Sequence, residues 1–396
     1  MSGLVAVPSA TSKREPRVAP SAAHFIAGDA LRAIAAVSVV TYHIAFGTNL
    51  AFGSDAPAGF DRFGRAGIVL RNLDVGLYIF FVLSGYLIAR PFVRAFVVGD
   101  AHPRLGRYLR NRALRIVPAF WAIFTILLIR NGALGSSMPD VASVYGFAQI
   151  YTVPVVGVLV GPAWTLDVEA AFYLLIPLAA WLVLRIGRRL PRRRRVYLVA
   201  VVLGAIWAVA LLASEFGPAT YVFQRSPAAM LFAFVPGVFL ALVEVPILAG
   251  RRRHLPRFLA GALVVVGSVV LVAYVLVLGD KFGFSPDIGA LPRALASVGA
   301  GLLVAAPLCL QWRENRCWRW LDNRPMDWVG RHSYSIYLLH TGLAIEVTKL
   351  VDRAGSYQAA FLVWLAALTP VLLLASSISY RLFEAPFLRR RRPWRA

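Results

Sequence analysis

The amino-acid sequence predicts an all-α polytopic membrane protein with about ten transmembrane helices. Three observations carry this. Of the 396 residues, 59% are hydrophobic and only 15% charged, too few charges to clothe a soluble protein of this size. Apolar runs recur with the length needed to cross the hydrocarbon core, about 20 residues each. The basic residues gather in short runs that follow every second apolar run, the pattern of cytoplasmic loops. Helices are the expected element because each satisfies its own backbone groups in lipid.

The expected spans are Leu31–Leu50, Ile68–Val93, Ile116–Ile129, Ala163–Leu184, Val196–Ala213, Ala228–Ala249, Phe258–Leu278, Leu291–Leu310, His332–Leu350 and Ala359–Tyr380. Arginine-rich stretches follow the second, fourth, sixth and eighth spans, and "FLRRRRPWRA" follows the tenth. This places both termini in the cytoplasm. Residues 141–160 are apolar but broken by Pro154. Counting them as a span would carry the next arginine-rich loop outside, so they are expected to be external or partly re-entrant. The first 25 residues are rich in Pro, Ser, Ala and Arg, have no apolar core and read as a disordered cytoplasmic tail. Residues 26–390 then form one membrane domain and 391–396 a short basic tail. No internal repeat is apparent, which leaves the inverted-repeat signature of many transporters unsupported.

The formal net charge is +23, from 42 basic and 19 acidic residues. In a soluble protein this would point to nucleic acid. Here topology accounts for it, and no nucleic-acid partner is expected. The basic rim instead suits anionic membrane lipids or a phosphorylated cofactor. Cys309 and Cys317 form neither a metal cluster nor a disulfide framework.

Ionisable residues at membrane depth are functional candidates. Arg32 and His43 are eleven residues apart, close to three turns, so they share a helix face and lie roughly 16 Å apart along the axis. Arg71 and Asp74 are spaced to pair on one face. Ser84 and Gly85 read as a close-packing signal. Asp167 and Glu169 lie in the outer part of the fourth span, and Glu169 reaches a depth similar to that of His43. A carboxylate beside that imidazole would fix its tautomer and raise its basicity. The ninth span adds His332, His340 and the hydroxyls of Ser333, Tyr334, Ser335 and Tyr337, which either line a polar cavity or bond within the bundle. The histidines have no metal-ligand spacing, and no metal is expected. These groups suit acyl transfer, with a histidine taking the proton of an acceptor hydroxyl and cytoplasmic arginines holding phosphates. They suit proton-coupled transport equally well.

Several stretches, taken together, resemble the membrane acyltransferase-3 family of envelope-glycan O-acetylases and macrolide acyltransferases. They are "ALRAIAAVSVVTYH", "DVGLYIFFVLSGYLIARP", "RYLRNRALRIVPAFW", "GPAWTLDVEAAFYLLIP", "RHSYSIYLLH" and "SYRLFEAPFLRR". The resemblance implies an O-acyltransferase in the bacterial plasma membrane. It implies acetyl-CoA or another acyl-CoA as donor, with a glycan, glycolipid or glycosylated small molecule as acceptor. It implies His43 as the catalytic residue, supported by Arg32 and Glu169. Arg110, Arg112 and Arg115 would contact the phosphates of the donor, and Tyr334 and His340 are placed with the donor-binding set. No C-terminal esterase domain of the kind found in larger family members is recognisable, so transfer is expected to be direct or completed by a separate partner.

Overall fold

The structure is a computed structural model. It describes residues 28–51, 63–132, 135–152, 155–187, 189–249, 257–278, 289–310, 321, 323–351 and 357–391. The expected tail over residues 1–25, Cys317 and all but the first residue of the basic tail at 391–396 lie outside them.

Every regular element among the described residues is helical. Among the described residues, eight helices are long and apolar enough to cross a membrane, or nine if one bent pair is a single span. The long elements are α1 (Gly28–Ala51), α2 (Arg65–Arg71) leading into α3 (Val75–Val97), α4 (Leu105–Arg130), α7 (Trp164–Gly187), α8 (Arg192–Phe216), α11 (Val235–Ala249), α12 (Arg257–Leu278), α13 (Ala290–Leu310), α14 (Arg324–Val351) and α15 (Tyr357–Ser379). Short helices α5 (Met138–Tyr145), α6 (Gln149–Thr152), α9 (Tyr221–Gln224) and α10 (Pro227–Met230) lie between them, and a π-turn, Tyr380–Glu384, joins α15 to α16 (Ala385–Arg389).

The count falls short of ten for two physical reasons. The expected sixth span is the bent pair, Pro227–Ala233 and Val235–Pro246, which meet at 43°. The expected ninth span falls within α14, which carries Arg324, Asp327 and Arg331 early and Glu346 and Lys349 late, and so is less apolar than its neighbours. The boundaries shift as well. The stretch expected as a basic loop, "RLGRYLRNRALR", is mostly the start of α4, because leucine and arginine are good helix formers and nothing in the stretch breaks the turn. Arg192–Arg195 likewise open α8.

Residues 141–160 do not form one continuous helix. The chain breaks at Gly146 and at Phe147, whose φ is +56°, and continues as α6 and a 3₁₀ segment, Val155–Ala163. Asp167 Oδ2 accepts a hydrogen bond of 3.0 Å from the Ile150 amide, tying this broken segment to α7. Arg71 and Asp74 are both buried. Arg71 ends α2, and Asp74 lies in the turn that leads into α3. Asp74 accepts from Tyr274 Oη at 3.4 Å.

The main core gathers α3, α4, α7, α11 and α13, with Phe81, Phe172 and Phe234 in ring contact at its centre. A bidentate Arg90–Glu244 pair, both bonds 2.9 Å, joins α3 to α11. A second apolar layer joins α1, α14 and α15 through Ala36, Ile336 and Leu372, and through Ile44 and Trp364. Contacts between α1 and α14 rise in step along both helices: Asp29 meets Gly330, Ala36 clusters with Ile336, and His43 meets His340. The two helices therefore run parallel. Gly330 allows this, since a Cβ there would overlap the Asp29 carbonyl.

Replacing Gly330 with Leu should force α1 and α14 apart. Overpacking of this kind costs about 1–3 kcal/mol or more. A lower yield of monodisperse protein and a lower thermal midpoint in detergent are expected, with Gly106→Leu, where a Cβ meets open space, as the control.

Candidate functional site

Helical phase decides which arginines of α4 reach the interior. Tyr108, Arg112 and Arg115 recur at steps of four and three and share a face. Arg110 lies on another face and is exposed. Arg112 and Arg115 line a cavity of about 80 Å³ together with Arg32 of α1, Ser84 of α3, Thr165 and Glu169 of α7, and Ser333, Tyr334 and Tyr337 of α14. Five of the eight residues singled out from the sequence thus meet in one cavity. Arg110 does not, and His43 and His340 lie beside the cavity rather than on its wall.

Glu169 is the acidic hub. Its Oε1 accepts from Ser84 Oγ at 2.8 Å and from Tyr173 Oη at 2.7 Å. The Tyr173 carbonyl in turn accepts from Tyr108 Oη at 3.0 Å, and the Arg112 guanidinium lies over both rings, 5.5 Å from Tyr173 and 5.7 Å from Tyr108. Arg32 pairs with Asp29 at 2.8 Å, one turn back on its own helix. Tyr334 Oη donates to the Ile116 carbonyl at 2.8 Å, which pins α14 to α4 just before Pro118.

The expected pairing of Glu169 with His43 does not form. Similar depth says nothing about lateral position, and Glu169 faces Ser84 and Tyr173 instead. The ring partner of His43 is His340, with centroids 4.9 Å apart and planes at 65°. His43 Nδ1 lies 2.8 Å from the Val39 carbonyl, and His340 Nδ1 lies 2.6 Å from the Tyr337 carbonyl. A carbonyl can only accept, so each Nδ1 carries the proton and each Nε2 keeps its lone pair. Tyr337 links the two regions. Its ring borders the cavity and sits 5.7 Å from the His340 ring. Its hydroxyl bonds Thr165 Oγ1 at 2.6 Å and the Pro162 carbonyl.

Three participants are not assigned to the site by the sequence. Ser84, taken there as a packing residue, is a donor to Glu169. Tyr173 stands one helical turn after Glu169, a spacing that favours side-chain contact and was available in the sequence. Arg391 reaches the group through the π-turn, a feature often found at functional positions. This turn also sets Glu384 against Ser335, whose hydroxyl bonds it. The Nε and Nη2 of Arg391 are buried without a hydrogen-bond partner among the described residues. Outside the membrane-spanning segments, its pKa is pushed down to about 9 by burial and by the neighbouring Arg115 and Arg112 guanidiniums. Crowded guanidiniums with buried, unsatisfied donors are suited to a multiply charged anion, for which arginine offers paired N–H donors. Among the described residues no group of His, Cys, Asp and Glu has the arrangement of a metal site.

Residues 26–380 match the family described as Acyltransferase domain. The chain belongs to this acyltransferase-3 family. Among the described residues its long apolar helices have the length and composition needed to cross a membrane. Two curated relatives are similar over 90% of the chain. The Peptidoglycan O-acetyltransferase OatA of Listeria monocytogenes serovar 1/2a is 21% identical over 375 residues, which make up 55% of that protein. The Putative peptidoglycan O-acetyltransferase YrhL of Bacillus subtilis strain 168 is 25% identical over 373 residues, 54% of that protein. The chain thus spans about half the length of these relatives. No solved structure matches it.

Glu169→Ala would leave the Ser84 and Tyr173 hydroxyls without their acceptor. Buried donors left this way cost about 1–3 kcal/mol, so a lower thermal midpoint in detergent is expected. Glu169→Gln, which keeps an acceptor oxygen, should recover most of the loss.

Proposed function

We propose that this protein is an O-acyltransferase of the bacterial plasma membrane that moves an acyl group, acetyl first among the candidates, from acyl-CoA to a hydroxyl of a cell-envelope glycan. The observation that carries this reading is the convergence of Arg32, Arg112 and Arg115 with Glu169 in one cavity, with Tyr337 linking its wall to the His43–His340 pair. The arginines would hold the phosphates of CoA, with Arg391 beside them. Arg110, exposed on another face, is not assigned to this task. The names of both relatives favour peptidoglycan as the acceptor over a small glycosylated metabolite. A cytoplasmic position for both termini, and so for the arginine mouth, agrees with the charge pattern and with supply of the donor from the cytoplasm.

In the transfer, His43 Nε2 takes the proton of the acceptor hydroxyl while its oxygen attacks the thioester carbonyl. The C–S bond breaks, and the thiolate leaves with the proton that His43 returns to it. The Nδ1–H···O=C bond to Val39 holds the ring in the tautomer this requires. Glu169, supported by Ser84 and Tyr173, provides negative charge among the arginines and would orient the guanidinium of Arg112 or Arg115.

Two outcomes test the reading. His43→Ala should abolish O-acetylation of the cell wall, measured by mass spectrometry of released muropeptides, while the protein remains in the membrane fraction; undiminished product would sink the assignment. Arg112→Ala and Arg391→Ala should raise the KM for acetyl-CoA, each about tenfold, as loss of a charge-assisted contact worth about 1.5–3 kcal/mol implies. Unchanged KM values in both would remove the donor from this mouth.

A further inference from the structure

The acyl-transfer reading uses His43 and leaves His340 without a task, yet His340 is the more deeply buried of the two. It is 1% exposed, and its Nε2 has no hydrogen-bond partner among the described residues. A buried nitrogen acceptor left unpaired is costly and calls for a reason. Nearby geometry supplies one. The ring is in edge contact with His43, 4.9 Å between centroids. Its Nδ1–H is committed to the Tyr337 carbonyl, so Nε2 is the one position left to accept a proton or a hydrogen bond. His43 is in the same condition, with Nδ1–H committed to Val39.

We propose that His340 is a positioning residue for the transfer, accepting a hydrogen bond from the protonated His43 through its free Nε2. This rests on the reading of His43 as the base. When His43 Nε2 takes the hydroxyl proton, the O–H bond breaks and an imidazolium forms in a site with little water. His340, still neutral, turns its lone pair to that N–H. The acceptor oxygen bonds the acyl carbon, the thioester C–S bond breaks, and the shared proton passes from His43 to the departing thiolate, which leaves as the free thiol. Neither imidazole gains or loses a proton over the cycle. The pair holds one proton and not two, because two adjacent imidazoliums would repel each other in a medium of low dielectric constant. Tyr337 sets the arrangement. Its carbonyl fixes the His340 tautomer, and its hydroxyl, bonded to Thr165 and the Pro162 carbonyl, fixes the position of that turn against α7.

The test uses the full chain in nanodiscs, with acetyl-CoA as donor and soluble muropeptides as the acceptor probe, following release of the CoA thiol. His340→Leu matches the volume but offers no acceptor. It should lower kcat by roughly a hundredfold while KM for acetyl-CoA stays within about twofold. His340→Gln restores an acceptor carbonyl near the Nε2 position, without a proton-binding nitrogen, and should recover at least about tenfold of that kcat. A packing role would make the two variants equal, and equal kcat values overturn the inference, as would a loss seen only in KM. The His43→Ala control keeps the two ideas apart. An active His43→Ala protein overturns the base assignment, whereas an inactive one beside a fully active His340→Leu overturns the role of His340 alone. A parent protein inert towards muropeptides overturns the acceptor reading.

Discussion

The side-by-side, parallel packing of α1 and α14 is the constraint on which the site depends. It begins where Gly330 lets α14 approach the Asp29 carbonyl without a Cβ in the way. One turn after that contact, Arg32 and Tyr334 border the same cavity. Further along both helices, His43 and His340 meet. Side chains from the two helices thus supply both the charged mouth and the imidazole pair. The other helices complete the site: α3 brings Ser84, α4 brings Arg112 and Arg115, and α7 brings Thr165 and Glu169. In lipid, where helix association draws on packing and polar contact rather than on exclusion of water, a small residue at the first point of contact has a large effect on all that follows.

Electrostatics explain why these polar groups are connected. Guanidiniums removed from water need partners, and the structure supplies them unevenly. Arg32 has Asp29, Arg112 has the faces of Tyr108 and Tyr173, and Glu169 is itself tied to two hydroxyls. Arg391 lies close enough to Arg112 and Arg115 to be disfavoured as a cation. Positive charge therefore exceeds what the nearby carboxylates neutralise. A site of this kind costs stability when empty and gives affinity when an anion with several oxygens enters, which ties the stability of the arginine mouth to the presence of its ligand.

Most of the fold was legible in the sequence, since lipid imposes apolar runs of a set length and the arginines mark their ends. What remained illegible has a common cause. Sequence reports depth along one helix but not the neighbour across from it. Glu169 and His43 match in depth, yet face different partners. Arg110, Arg112 and Arg115 look equivalent as a basic run and become different once the run is helical, because a shift of two residues turns a side chain to another face. Ser84 carries the ordinary signal of a packing residue, and only the position of α7 turns it into a donor. Arg391 belongs to a tail by composition and to the site by virtue of one π-turn.

The parallel direction of α1 and α14 has a consequence for how the chain is threaded. Two segments can run the same way through a bilayer, side by side, only if the polypeptide between them crosses an odd number of times. Among the described residues, six long apolar candidate spans lie between them, with one bent pair. Six is even. If each of the six crosses, a parity rule applies to the two irregular stretches, the pair that bends by 43° and the segment split at Phe147: one of them traverses the bilayer and the other returns to the face it left. The split segment is tethered to the first turn of α7 by Asp167, an anchor suited to a stretch that returns, which would leave the traverse to the bent pair.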